Sequence, residues 1–210
     1  MNWKQIDRNK RVQSKGVYND WKQQISNDCY NQCVYCSIHE MPWGGIDHFH
    51  IDHFRPQSKF GNLVNTITNL YHACPICNKF KSNDWKNEPN DLNTICYPDP
   101  SEHNYSDLFE IDTTNYTLIG KYIASRYLIN RLYLNRPQLV YERREHFLNL
   151  RYQLLIQETE KLILECDDNE LKNETIQTIL KISKLMTTRS SVPPYKLEEI
   201  KKQKKQGRDK

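Results

Sequence analysis

Two pairs of cysteines have the spacing that most directly indicates chemistry in this 210-residue sequence. Each pair has the form Cys-x-x-Cys, and the pairs are Cys33 with Cys36 and Cys74 with Cys77. Two cysteines on one tight turn can direct both sulfurs at one ion, and two such turns complete a tetrahedral zinc site. Because the protein supplies all four ligands, we predict a structural rather than a catalytic Zn²⁺.

The other three cysteines are weaker candidates as ligands. Cys29 could replace Cys33, although three residues rather than two separate them. Cys96 and Cys166 are interpreted as packing residues. The alternative for the two pairs is that they are unrelated buried thiols. The total of seven cysteines is odd, and the charged start of the sequence lacks the apolar segment of a signal peptide. Both observations favour a reducing environment, in which metal binding is a better interpretation than disulfides.

A second group of reactive residue types lies between the cysteine pairs and directly after them. The segment 51–56 reads IDHFRP, so that an acidic residue directly precedes a histidine. Asn69 follows later, and Asn78, Lys79 and Lys81 come directly after the second cysteine pair. In combination with the four cysteines, these residues closely resemble the HNH endonucleases of the ββα-metal type that carry a zinc ribbon.

This resemblance covers about residues 31–85 and implies a role for each polar residue of the motif. His53 corresponds to the general base, and Asp52 and Asn78 correspond to the ligands of a catalytic Mg²⁺ or Mn²⁺. Asn78 stands where many family members carry histidine, and asparagine is common there. Asn69 would orient His53 by hydrogen bonding and fix the loop between the two strands.

The chemistry of these residues suits the hydrolysis of a phosphodiester bond. A histidine with its ordinary pKa of roughly 6.5 can accept a proton from water at neutral pH. A hard cation held by the oxygens of Asp52 and Asn78 can polarise the phosphate and stabilise the leaving oxygen. Since Asn78 directly follows Cys77, a structural zinc would also fix this ligand near His53. By analogy, the products would be 5′-phosphate and 3′-hydroxyl ends.

Cations and further histidines surround the motif. We predict that four cations contact phosphates of the nucleic acid, which affects affinity rather than base recognition. These are Arg55, Lys59, Lys79 and Lys81. On a regular strand, His48 and His50 would share a face with Asp52, so that one of them could reach the metal, but they are interpreted as surface or packing residues.

A second resemblance lies further along the chain. Residues 129–140 read INRLYLNRPQLV and are followed by Glu142, Arg143 and Arg144. They are similar to the helical segment that follows the nuclease motif in HNH proteins of Septu-type and retron-linked antiphage systems, which sit beside an ATPase. The resemblance implies the nuclease effector of a defence system that acts on DNA rather than RNA, with an ATPase partner subunit.

The patterns around the motif predict an α+β fold, a zinc-stapled ββα core with a helical C-terminal part. Strands are expected in 48–54 and 69–74, with Pro75 in the first turn of a helix and a hairpin over 109–120. Helices are expected over 122–132, over 136–165 with Asn135 as N-cap, and over 169–186. The predicted organisation is an N-terminal helical segment (1–30), the nuclease domain (31–95), a connector hairpin (96–119), a helical region (120–186) and a basic, disordered tail (187–210).

The composition limits the class of protein but does not identify the substrate. The net charge of +4, from 30 basic and 26 acidic residues, neither requires nor excludes a nucleic-acid partner. No window contains the roughly 18–20 apolar residues that a membrane span needs, so we expect a cytoplasmic protein without membrane contact. Two alternatives remain: a non-catalytic zinc-ribbon module that binds nucleic acid, and an interaction subunit whose helical half docks on an ATPase.

Overall fold

This computed structural model describes residues 3–7, 9, 11, 12 and 15–187. It divides the chain into two units, Met1–Leu139 and Val140–Lys210. The segments predicted as 1–30, 31–95 and 96–119 all lie in the first unit, and the predicted helical region is divided between the two. Apart from Thr187, the predicted basic tail lies outside the described residues.

The N-terminal part of the first unit consists of short helices. A single helical turn at Tyr18–Trp21 leads into α1 (Lys22–Asp28), and α2 (Gly45–His48) follows after a loop. Trp21 and Ile25 are buried, and α1 packs against the second strand described below. Burial of these apolar residues places the N-terminal segment in the same core as the predicted nuclease domain.

The predicted ββα unit occupies the middle of the first unit. Strands β1 (His50–His53) and β2 (Leu70–Ala73) pair in antiparallel register, with His53 opposite Leu70, and helix α3 (Pro75–Lys81) follows directly. Proline at the first position of α3 loses no hydrogen bond, since that N–H has no partner within a helix. Cys74 is the N-cap, and its sulfur accepts the N–H of Cys77 at 3.4 Å. The predicted positions of these three elements are confirmed.

A hairpin and a longer helix complete the first unit. Helix α4 (Tyr105–Leu108) precedes β3 (Phe109–Ile111) and β4 (Leu118–Gly120), which pair antiparallel as predicted. Helix α5 (Ile123–Leu132) packs against both β4 and α3. With two small antiparallel sheets among helices, the described residues confirm the predicted α+β class.

The last two helices confirm their predicted positions, although one predicted cap is wrong. Helix α6 (Pro137–Glu165) and helix α7 (Asn169–Thr187) agree closely with the expected ranges. Asn135 is not next to α6, which begins at Pro137, so Arg136 takes the capping position. The Asn135 amide instead pairs with both backbone groups of Leu118 in β4, at 2.7 and 2.9 Å. None of the described helices has the length and apolar character of a membrane span.

Candidate active site and cysteine cluster

The four predicted cysteine ligands come together in the first unit. Their sulfurs all lie within 4.8 Å of one another, and each residue is at most 5% exposed. Cys33 and Cys36 lie on one turn, which the hydrogen bond from the Ser37 N–H to the Cys33 carbonyl closes. Cys74 and Cys77 lie on the first turn of α3. The predicted clustering is confirmed, and the four sulfurs could hold one metal ion.

The donor set suits zinc. Zn–S bonds of ~2.3 Å in a tetrahedron separate the sulfurs by ~3.8 Å, and the sulfurs of Cys36 and Cys74 are 3.8 Å apart. Cys29, the alternative ligand, is excluded because its sulfur accepts the His72 N–H outside the cluster. Burial raises the pKa of Cys33 and of Cys77. Burial alone would also raise the pKa of Cys36, but the neighbouring thiols and Arg136 lower it well below its usual value.

His53 stands at the end of β1 with one ring nitrogen fixed. Its Nε2 lies 3.0 Å from the Val64 carbonyl oxygen, and because a carbonyl only accepts, Nε2 carries the hydrogen. Nδ1 is then the basic nitrogen, and the amide nitrogen of Gln57 lies 3.0 Å from both Nδ1 and Nε2. The pKa of His53 is lowered, chiefly by burial and further by the charge of Lys81, against the raising effects of Val64 and Asp52. His53 is therefore a neutral base at neutral pH.

Asp52 is buried and already has a cationic neighbour. The Tyr35 hydroxyl donates to its carboxylate at 2.5 Å, and the Lys81 ammonium lies 3.1 Å from it. Lys81 also donates to the His53 carbonyl at 2.7 Å. The carboxylate can still accept further bonds, since it offers about four lone-pair sites. Any metal ion at Asp52 would share the carboxylate with this ammonium group.

Asn78 and His50 form a pair that the sequence analysis did not anticipate. The Asn78 Nδ2 atom lies 3.1 Å from Nδ1 of His50, which is exposed on β1. His50 precedes Asp52 by two residues, so strand alternation indicates a shared face, although from the sequence alone His50 is interpreted as a surface or packing residue. Since the amide nitrogen of Asn78 faces His50, its oxygen is the atom that could bind a metal.

An open cleft of about 390 Å³ is lined by most residues of the predicted motif. Asp52, His53, Asn78 and Lys79 line it, and Gln57 lies on its wall beside the basic nitrogen of His53. The cleft therefore combines a base, oxygen donors and an exposed cation, which is the set of groups that phosphodiester hydrolysis requires.

Asn69 acts on the loop between the strands rather than directly on the His53 ring. Its side-chain oxygen accepts the Arg55 N–H at 2.8 Å, and its nitrogen donates to the carbonyls of Arg55 and Leu63. The Phe54 N–H also donates to the Asn69 carbonyl. Asn69 thus fixes the residues directly after His53, while Val64 fixes the ring itself.

The four predicted phosphate-binding cations have different surroundings. Lys79 is exposed in the cleft. Arg55 pairs with Glu88 at 2.8 Å, and Lys59 donates to the Trp85 carbonyl at 2.9 Å. The prediction for Lys81 is wrong, because its side chain is fully buried and neutralises Asp52, so it cannot reach a phosphate.

Comparison with known proteins first identifies a class. Residues 33–84 match the family model described as HNH endonuclease, so the chain contains an HNH endonuclease domain where the motif predicted one. This range holds all four clustered cysteines and the residues of the cleft.

A particular relative then supports the second resemblance. The chain is similar to the Septu protein PtuB of Bacillus thuringiensis, with 33% identity over 119 residues, which are 54% of this chain and 40% of that protein. It therefore spans about two fifths of the length of this relative. No solved structure matches the chain significantly.

Proposed function

We propose that this chain is a metal-dependent HNH endonuclease that hydrolyses phosphodiester bonds in DNA, as the nuclease effector of a cytoplasmic antiphage defence system. The observation that carries the proposal is the state of His53. One ring nitrogen is fixed by the Val64 carbonyl, and the other is a neutral base beside a cleft that also contains Asn78 and Lys79. The HNH match over 33–84 and the similarity to a Septu protein support the same assignment.

In the proposed reaction, Nδ1 of His53 accepts a proton from a water molecule, whose oxygen attacks the phosphorus. The bond from phosphorus to the 3′ oxygen breaks, and this oxygen takes up a proton from solvent. The Gln57 amide nitrogen lies 3.0 Å from both ring nitrogens and must give up the lone pair of Nδ1 to this water. The Val64 carbonyl stabilises the imidazolium that forms, since it accepts the hydrogen bond from Nε2.

Asp52 and Asn78 are the residues that would hold the catalytic Mg²⁺ or Mn²⁺. Bound there, the ion would polarise the phosphate and stabilise the leaving oxygen. Oxygen donors from a carboxylate and an amide suit a hard cation. Lys81 already supplies one positive charge to Asp52 at 3.1 Å, so we expect weak metal binding in the absence of substrate, with phosphate oxygens completing the site.

The test is cleavage of plasmid DNA by the zinc-loaded protein with Mg²⁺, with Mn²⁺ or with EDTA, and RNA is a parallel substrate. We expect cleavage of DNA that depends on the divalent ion. His53→Ala should reduce the rate about 10²–10⁴-fold, because it removes the base, and leave folding and zinc content unchanged. His103→Ala is the control histidine. A wild-type rate from His53→Ala would contradict the proposed mechanism.

We also propose that the second unit docks on an ATPase partner. The supporting observation is a set of apolar side chains on α6 and α7 that are at least 40% exposed, which monomeric proteins rarely collect on one pair of helices. They are Leu150, Leu154, Leu155, Leu162, Leu164, Leu171, Ile176 and Leu180. Within this unit, a groove of about 520 Å³ is lined by Leu148, Leu155 and Ile182 among others.

Co-expression with an ATPase encoded by an adjacent gene tests this part. We expect a stable complex that Leu154→Glu weakens, while Glu158→Gln, on the wall of the same groove, serves as a polar control. A chain that remains monomeric and is fully active without the ATPase would contradict the docking proposal. It would not affect the nuclease assignment.

A further inference from the structure

Arg136 is the buried arginine at the junction between α5 and α6. It is 1% exposed, and its guanidinium group lies between the cysteine cluster and the end of α5. In the sequence, Arg136 belongs to the segment 129–140 that carries the helical resemblance. The structure brings it to the sulfurs from a position far along the chain.

The two terminal nitrogens of Arg136 contact three of the four sulfurs. Nη2 lies 3.7 Å from the Cys36 sulfur and 3.9 Å from the sulfurs of Cys74 and Cys77, and Nη1 lies 3.8 Å from the Cys77 sulfur. On its other side, Nη1 donates to the carbonyls of Leu132 and Tyr133 at 3.3 and 3.4 Å. One guanidinium group therefore joins the cluster to the C-terminus of α5.

The contact between Arg136 and the sulfurs matters because the metal-bound cluster carries a buried negative charge. Four thiolates around one Zn²⁺ leave a net charge of −2 in a site that water does not reach, and an uncompensated buried charge is strongly unfavourable. A guanidinium group keeps its charge in proteins and donates several hydrogen bonds in a fixed plane. Burial alone would lower the pKa of Arg136, but the nearby Cys77, Cys36 and Cys74 raise it. The cysteines and Arg136 thus stabilise each other's charged forms.

If Arg136 only capped helix α5, fewer contacts would be expected. An arginine that only capped α5 would need the two carbonyls, since cations are favourable at the C-terminal end of a helix. Such a cap does not explain the contacts of both terminal nitrogens with the sulfurs. The position of the guanidinium is better explained by the charge of the cluster than by the helix end.

We propose that Arg136 is the countercharge of the metal–thiolate cluster, and that it couples metal binding at the four cysteines to docking of the α5–α6 junction on the nuclease core. Arg136 is a positioning residue in this role, since it does not bind the metal. Loss of zinc would remove the ion that holds the sulfurs around the guanidinium group, and the junction would be loosened from the core.

The test compares the full chain in wild-type form with Arg136→Met and with Arg11→Met. Arg11 is a matched control because it is also a buried arginine, but it donates to the Leu70 carbonyl and pairs with Asp28. Zinc affinity is measured by competition with a chromophoric chelator, and Tm is recorded for the zinc-bound protein. We expect Arg136→Met to weaken zinc binding about 10–100-fold, as other changes in residues around metal ligands do.

The control separates metal coupling from general destabilisation. Arg11→Met should lower the Tm of the zinc-bound protein and leave zinc affinity near the wild-type value, whereas Arg136→Met should lower both the Tm and the zinc affinity. The proposal is overturned if Arg136→Met weakens zinc binding no more than Arg11→Met does.

A spectroscopic measurement decides the matter even if Arg136→Met does not fold. Co²⁺ replaces zinc in wild-type protein and in Arg136→Lys, which keeps the charge but loses the planar array of donors. Sulfur-to-cobalt charge-transfer absorption depends on the electron density at the sulfurs, so we expect a shift to lower energy in Arg136→Lys together with weaker metal binding. An unchanged band with unchanged affinity would overturn the proposal.

Discussion

The cysteine cluster and the cleft adjoin on helix α3, yet they differ in burial and in how many of their ligands the protein supplies. Cys77 is fully buried, and Asn78, the next residue of α3, lines an open cleft. The cluster is complete within the protein, since four sulfurs suffice for a zinc ion. The cleft offers a few oxygen and nitrogen atoms and needs substrate and metal to complete it. Changes on one side of this helix should therefore affect stability, and changes on the other side should affect activity.

The largest expected effect is the loss of the cluster. Cys74→Ser should release the zinc and unfold the first unit, since structural zinc supplies ~10 kcal/mol or more of folding free energy. Elemental analysis and circular dichroism measure the two consequences. Cys96→Ser is the control, because Cys96 is also buried but its sulfur contacts the Asp91 carbonyl rather than the cluster. A well-folded Cys74→Ser protein without metal would contradict a structural role for the site.

Lys81 is the buried partner of Asp52, and its removal should reduce stability by less than loss of the cluster. Lys81→Met leaves the Asp52 carboxylate buried without its ammonium partner, at a cost of ~3–5 kcal/mol. Urea denaturation measures the loss. The double variant Lys81→Met/Asp52→Asn should recover part of it, since both charges are then absent. Lys79→Met, two positions away on the exposed face, is the control and should unfold at the wild-type urea concentration.

The pH dependence of cleavage should follow His53. Because burial lowers its pKa below the ordinary 6.5, the base stays neutral at pH 6.5, and activity should decline only as the pH falls further. Because the pKa of His53 is lower in the folded protein, the unfolded chain binds this proton at a higher pH than the folded protein does. The stability that His53 contributes is present above the unfolded pKa and is lost as the pH falls through the folded one.

Two measurements check this dependence on pH. The acid limb of kcat/KM should lie below pH 6.5 in the wild type. It should move to higher pH in Lys81→Met, since the charge of Lys81 lowers the pKa of His53. An acid limb at or above pH 6.5 in the wild type would show that a different group titrates.

The smallest expected effect concerns the exposed cation of the cleft. Lys79→Ala should weaken DNA binding several-fold at low salt and reduce the slope of log K against log salt concentration by about 1, as expected for one lost phosphate contact. Lys59→Ala is the comparison, because Lys59 already donates to the Trp85 carbonyl. Binding titrations at several salt concentrations distinguish the two. Equal losses would place both lysines on the path of the nucleic acid.

Local patterns in the sequence sufficed for the cysteine cluster, the ββα unit and the helices. Ligand spacing, strand alternation and Pro75 depend on neighbouring residues, so they can be recognised in one sequence. Contacts between distant segments could not be predicted in this way. The partner of Asp52 is one such case, because Lys81 was expected in solvent, where most lysines lie. Asn135 is another, since its amide pairs with a strand residue rather than with the adjacent helix.

The hydrogen bonds of Asn69 have a consequence for engineering. Residues 54–69 form a loop whose two ends are joined by Asn69, Phe54 and Arg55, and the ring of His53 is held at Val64. Lys59 and Phe60 in this loop contact Trp85, but Gly61 and Asn62 are exposed, and surface loops tolerate changes in length at a small entropic cost. The loop can therefore be altered at these two residues while the base stays fixed.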